Sequence, residues 1–251
     1  MDYRKIADLV LEKAEARFDE AEVFIESSEA LSIEYYNRDL DTYEISEEAG
    51  FSITVRRGDF WAETYSENIS EDLIDQMLDV LEENLAVSQE KPYKSLYSPA
   101  ETEILAALPN KQAVDLSPQV FLDICRTLAE KTLDLTDQVH VVSSSVSAEK
   151  GTTIIKNSLG LDRASSYSYA LVFNYVVMAQ ADAMENGLSL RLMKHSDDLN
   201  LDEMAHEAVS KAQENFGAKS LASDAYKVVL DRKVVSSLMS AFASSLSADQ
   251  V

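Results

Sequence analysis

Hydrophobic positions recur at two spacings along this chain, and the change of spacing divides it into elements. Ile6, Leu9, Val10 and Phe18 fall near a helical period, so an opening helix is expected. The period then drops to two. Val23 and Ile25 alternate with charge, followed by Leu31, Ile33 and Tyr35, and then by Phe51, Ile53 and Val55. Asn37-Arg38-Asp39 and Arg57-Gly58-Asp59 interrupt these runs as turns, which predicts an antiparallel meander over about 21–66. Helical spacing returns with Leu73, Ile74, Met77, Leu78, Leu81 and Leu85, behind Ser70 as a cap and Glu71 and Asp72 at the positive end.

Residues 89–116 contain Pro92, Pro99 and Pro109 with little periodicity, and they read as an extended linker. Ser117-Pro118 is a strong helix start, and that helix runs to about Leu133. A second meander is expected over 138–195, with turns at Asn157–Gly160 and Glu185–Gly187. Asn200 and Glu203 have capping-box spacing before a helix that ends at Gly217. Tyr226–Leu230 reads as a short strand, and Asp231 caps a last helix with Val234, Val235, Leu238 and Phe242 on one face. The expected fold is α+β, built of helix–antiparallel meander–helix units in two lobes, 1–88 and 117–251, around the 89–116 linker. The last helix stops without a cap or turn signal, so further protein is expected beyond it.

Charge narrows the function classes. Among 251 residues, 45 are acidic and 22 basic, a net charge of −23. Such a surface repels phosphate backbones, because nucleic-acid binding depends on Lys and Arg displacing counterions. Nucleic acid is therefore not an expected partner. Hydrophobic residues make up 46% of the chain, enough for a core and too many for an acidic disordered tail. The most apolar run, Tyr169–Ala179, is interrupted by Asn174 and is too short to cross a bilayer. One cysteine, Cys125, rules out an internal disulfide and fits a cytoplasmic protein; its neighbours Phe121, Ile124 and Leu128 read as core.

No complete catalytic constellation is present. His206-Glu207 begins a zinc-type H-E motif, but the positions that could complete it hold Ser210 and Lys211. His140 and His195 are isolated, and no G-x-S-x-G elbow supports a serine hydrolase. The six glycines form no phosphate-binding loop. Tyrosines and phenylalanine cluster at Tyr35, Tyr36 and Tyr43, and at Tyr167, Tyr169, Phe173 and Tyr175. Core packing accounts for such clusters; so does a groove or edge strand that pairs with an extended peptide.

Four segments together resemble the TldD/PmbA metallopeptidase family, also known as modulators of DNA gyrase. They are Gly50-Phe51-Ser52-Ile53-Thr54-Val55-Arg56-Arg57-Gly58-Asp59-Phe60, Pro92-Tyr93-Lys94-Ser95-Leu96, Asn157-Ser158-Leu159-Gly160-Leu161, and Lys227-Val228-Val229-Leu230-Asp231 before a helix. The third matches the family's N-S-x-G-L turn, so Asn157, Ser158 and Gly160 are expected to build a tight turn. The resemblance spans the N-terminal half of a family member, short of its C-terminal domain. It places the zinc motif H-E-x-x-x-H of TldD-type subunits near Ser240, Ala241 and Ser245, where no His or Glu stands. This implies a PmbA (TldE)-like subunit with no catalytic or metal-binding residue and no cofactor of its own. Zinc is then expected only in a TldD-like partner. The implied role is a non-catalytic, substrate-holding subunit of a zinc metallopeptidase that trims peptide precursors or unfolded polypeptides. The alternative is a self-associating, homo-oligomeric peptide-binding or scaffold protein without peptidase activity.

Overall fold

A computed structural model of the chain describes residues 2–88, 96–99, 117–193 and 199–246. They form two compact units that divide between Phe216 and Gly217. The first opens with α1 (Tyr3–Glu15), capped by the Asp2 carboxylate, and continues into β1 (Glu20–Tyr36), β2 (Asp39–Arg57), β3 (Phe60–Ser66) and α2 (Glu71–Val87). After the residues read as the linker, most of which lie outside the described set, come α3 (Pro118–Leu133), β4 (Val139–Asn157), β5 (Asp162–Gln180), β6 (Ala183–Met193) and α4 (Leu201–Asn215). The second unit contains α5 (Arg232–Ser244), capped by Asp231. The α+β class read from the periodicity is the class of the fold. No helix among the described residues is long and apolar enough to cross a membrane.

The two meanders are halves of one six-stranded antiparallel sheet in the order β3-β2-β1-β4-β5-β6. They join where β1 pairs with β4, from Glu22 opposite Asn157 to Tyr36 opposite Ser143. The sheet thus draws its strands from both sides, in sequence, of the 89–116 segment at which two lobes are expected to divide. At about 3.3 Å per residue, β1, β2, β4 and β5 are roughly 55–65 Å long, far beyond a usual strand.

Residues directly opposite one another share a face. Ile25 lies opposite both Phe51 and Ile154, Ile33 opposite Val146, and Val146 opposite Val172. All are buried, so one face carries the core. Ile6, Val10 and Leu11 of α1 and Ile74, Leu78 and Leu81 of α2 pack on the β1–β3 half. Phe121, Cys125 and Leu128 of α3 and Met204 and Ala208 of α4 pack on the β4–β6 half. A buried polar chain joins α3 to this half: Ser144 Oγ donates to Asn174 Oδ1 (2.7 Å), Asn174 Nδ2 to Thr132 Oγ1 (3.0 Å), and Thr132 Oγ1 to the Leu128 carbonyl (2.7 Å). Each member is satisfied, which is the condition for polar groups to remain in a core.

Two expectations are corrected. Glu185–Gly187 is not a turn; β5 and β6 connect at Ala181 (φ 52°) and Asp182, and Gly187 lies within β6. A Cβ there would sit 2.1 Å from the Ala208 carbonyl oxygen and 2.6 Å from the Ala212 nitrogen, so this glycine lets α4 lie directly on the strand. Tyr226–Leu230 forms no strand; these residues are exposed and have no ladder partner among the described residues.

Candidate functional site

The Asn157–Gly160 turn ties β4 to the start of β1. Asn157 is buried, and its side-chain oxygen accepts from the backbone nitrogens of Leu159 and Leu161, each at 3.0 Å. Its amide nitrogen donates to Glu22 Oε2 (3.2 Å) and to the Tyr97 carbonyl (2.9 Å). Ser158 pairs with Ala21 twice: its backbone nitrogen donates to the Ala21 carbonyl (2.8 Å), and its hydroxyl accepts from the Ala21 nitrogen (3.0 Å). Gly160 sits at φ +95°, a conformation that side-chain-bearing residues avoid. Every polar atom described here faces its own chain, so the geometry is that of a structural clamp.

Among the described residues of the first unit no helix packs on the opposite face of the sheet, and a concavity lies at its centre. Phe24, Glu26 and Ser28 of β1 alternate with the core positions and point to this side. Gly50 of β2 and Gly151 of β4 flank them in the same register, opposite Glu26 and Ser28 respectively. Two tyrosines lie down over the glycines. A Cβ at Gly50 would be 2.3 Å from the Tyr65 hydroxyl, and one at Gly151 would be 2.5 Å from Tyr167 Cζ. Glycine leaves a gap in a pleated surface, and a cross-strand ring fills it at little steric cost. The result is a trough of about 650 Å³, walled by Tyr65 and Tyr167 and edged by Glu48, Glu67 and Glu149.

Glu149 is the anchored charge of the trough. It accepts from the Tyr167 hydroxyl (2.6 Å) and the Tyr169 hydroxyl (2.5 Å), whose rings stack with centroids 6.3 Å apart. These two hydrogen bonds hold its carboxyl below the ordinary range, against the opposing effect of partial burial. The same bond, followed by burial and the nearby Glu149 and Glu26 charges, pushes the Tyr167 phenol up to about 12. Around neutrality the site therefore presents a fixed carboxylate and two neutral phenols, with the acidic side chains of Glu26 and Glu48 beside them. That arrangement suits ammonium, guanidinium and main-chain amide groups; it contains no activated nucleophile.

The other candidate residues lie elsewhere. Cys125 is buried under α3, its thiol pushed up to about 12 by desolvation, the opposite of a reactive cysteine. His140 and His206 are exposed on β4 and α4, and His195 lies outside the described residues. Ser240 and Ala241 are on α5, with Ser245 at its end; Ser240 Oγ donates to the Ser236 carbonyl (3.0 Å) and Ser245 Oγ to the Phe242 carbonyl (2.6 Å). Hydroxyls turned back onto their own helix, and a methyl group, do not fit the imidazole, thiolate or carboxylate set that zinc takes. Among the described residues, no three His, Cys, Asp or Glu side chains are placed to hold a metal ion.

Sequence reasoning singled out Tyr167 and Tyr169 but missed Glu149, Tyr65 and the two glycines. An isolated glycine in a strand pattern is a readable signal, yet its partner ring becomes visible only once register is known. Of the aromatic clusters, Tyr36, Tyr43 and Tyr169 are exposed, and Tyr35, Tyr167, Phe173 and Tyr175 are half-buried.

Residues 21–88 match the PmbA/TldA metallopeptidase domain 1, and residues 109–216 match the PmbA/TldA metallopeptidase central domain; together they cover more than half of the chain. No curated protein matches. Among solved structures, a protein designated a modulator of DNA gyrase from Bacteroides thetaiotaomicron superposes with a TM-score of 0.88 at 17% identity, over 98% of this chain and 57% of its own. A second so designated, from Thermotoga maritima, gives 0.72 at 20% identity, over 88% and 50%. TldE from Thermococcus kodakarensis gives 0.75 at 13% identity, over 84% and 48%. At these identities the likeness concerns the fold alone. The chain spans about half the length of these structures.

Proposed function

This chain belongs to the PmbA/TldD metallopeptidase family, and from that premise we propose that it is a non-catalytic, substrate-holding subunit of a cytoplasmic zinc peptidase. The observation that carries the reading is the helix-free sheet face, with its tyrosine-walled, carboxylate-edged trough. Such a surface grips a polypeptide through its main chain and its positive groups without attacking it. The zinc belongs to a TldD-like partner, because the positions aligned with the family's zinc motif, Ser240, Ala241 and Ser245, lack a suitable donor set. The substrates are peptide precursors or unfolded polypeptides, whose backbone groups are free to pair.

Metal analysis of the purified protein tests the division of labour. The expected result is no stoichiometric zinc after equilibration with the metal. Zinc bound one per chain would overturn the non-catalytic assignment. A second reading, a self-associating peptide-binding scaffold, draws on the exposed Leu188, Leu190 and Leu192 of β6, which alternate on the same helix-free face. It predicts a stable homo-oligomer, by sedimentation, that Leu190→Asp dissociates.

A further inference from the structure

The two edges of the sheet are finished differently. Along β6, the carbonyls of Leu188 and Asn186 accept from Lys211 Nζ (2.9 Å) and Asn215 Nδ2 (3.2 Å) of α4, so that edge is covered there by side chains of the helix. On the other side β3 pairs with β2 only from Phe51 to Arg57, while β1 pairs with β2 from Asp39 to Arg56. Over Asp39–Ala49 the outer main chain of β2 has no strand partner among the described residues. A free edge this long is a template for another strand.

We propose that β2 between Asp39 and Ala49 is a docking edge at which an extended, positively charged peptide adds as a strand in line with β3. This rests on the peptide-holding reading above and names the substrate class. Residues 39–49 include Asp39, Asp41, Glu44, Glu47 and Glu48 and no Lys, Arg or Pro. Proline is absent, and the charges that guard this edge are all negative, so they repel another acidic strand and not a basic one. A second copy of this chain would bring the same acidic edge and a net charge of −23, so charge disfavours self-pairing and favours a basic strand.

The two faces of the edge differ as well. Leu40, Tyr43 and Ile45 fall on the helix side and are 49%, 47% and 52% exposed. Thr42, Glu44, Ser46 and Glu48 alternate with them on the other side. Next to Ile45, a hollow of about 370 Å³ opens between Leu31, Pro118 and Phe121. A docked strand therefore meets apolar groups from Leu40 to Ile45 on the helix side, with Glu47 beyond them, and Glu44 and Glu48 on the other side, which selects alternating apolar and basic residues. At the Ala49 end, Glu47, Glu48 and Ala49 also line the trough beside Tyr65. The edge leads the peptide onto the open face.

The test uses the whole chain and a fluorescently labelled, acetylated peptide of alternating Lys and Val, about ten residues long to match the free edge. Anisotropy is read at low salt, where charge pairs are least screened. Saturable binding is expected. It should weaken at least about tenfold in the Glu44→Lys/Glu48→Lys variant, with an unchanged far-ultraviolet circular dichroism spectrum. Only alternate amides of an added strand face its neighbour. N-methylation of one alternate set should therefore abolish binding, and methylation of the other should spare it. The proposal is overturned by no binding, by equal binding of a Glu–Val peptide, by equal effects of the two N-methylated peptides, or by self-association that the double charge reversal abolishes. No partner or zinc enters this measurement. Failure here leaves the subunit reading standing, and zinc in the chain would remove that reading without touching the edge.

Discussion

Gly187 and Gly151 show how one missing methyl group serves different ends. At Gly187 the obstacle to a Cβ is the backbone of α4, which cannot swing aside. Gly187→Ala should cost about 1–3 kcal/mol, read as a lower urea midpoint at unchanged slope. At Gly151 the obstacle is the movable ring of Tyr167, so Gly151→Ala should displace the ring and break its bond to Glu149 with a smaller loss of stability. The Glu149 pair also has a pH signature. Its carboxyl is lowered in the fold, so that contribution is full above the ordinary carboxylate range and is lost as pH falls through the folded value. The Tyr167 phenol is raised from 10.0 to about 12, so its contribution is full below the ordinary value and is lost as pH rises toward 12. Absorbance titration should show the Tyr167 and Tyr169 phenols ionising late, and Glu149→Gln should return them toward their ordinary value. A late phenol that persists in that variant would contradict the pairing. The sequence exposed the tyrosines but not this carboxylate, because Glu149 is one of 45 acidic residues until β4–β5 register places it opposite Tyr169.

At the scale of elements, local signals were legible wherever a cap or alternation sufficed. Asn200 and Asp231, read as caps, each cap a helix through the side chain, whereas Ser70 and Ser117 stand at the expected cap positions without a side-chain cap hydrogen bond. Both meanders were visible as period-two runs. Errors arose where the deciding interaction is distant. Gly187 looks like a turn residue until α4 is laid on it, and Tyr226–Leu230 has strand composition but no ladder to join among the described residues. The Asn157 turn is the element-level device most open to test. Asn157→Ala removes the partner of the Leu159 and Leu161 amides and the donor to Tyr97, so a loss of about 2–4 kcal/mol is expected. Asn157→Asp keeps the acceptor but sets a carboxylate against Glu22, so it should be less stable near neutrality than in mild acid. Equal stability of Asn157→Asp at both pH values would contradict the described contact.

At the scale of the molecule, the joining of two meanders into one sheet was not legible. It depends on β1 pairing with β4, as in Ile33 opposite Val146, across more than a hundred residues of sequence. Local periodicity contains no information about such a partner. The family was legible partly because two of its short motifs, around Gly58 and at Asn157–Gly160, sit at turns, where backbone geometry restricts the residue. Peptide capture by this chain for a zinc-bearing partner is tested most directly by recovering the protein from its native cell under mild conditions. Zinc and peptidase activity are then measured on the eluate before and after this chain is depleted. A zinc-bearing companion subunit is expected, with activity that falls when this chain is removed. A metal-free, inactive homo-oligomer, or zinc carried by this chain itself, would contradict it.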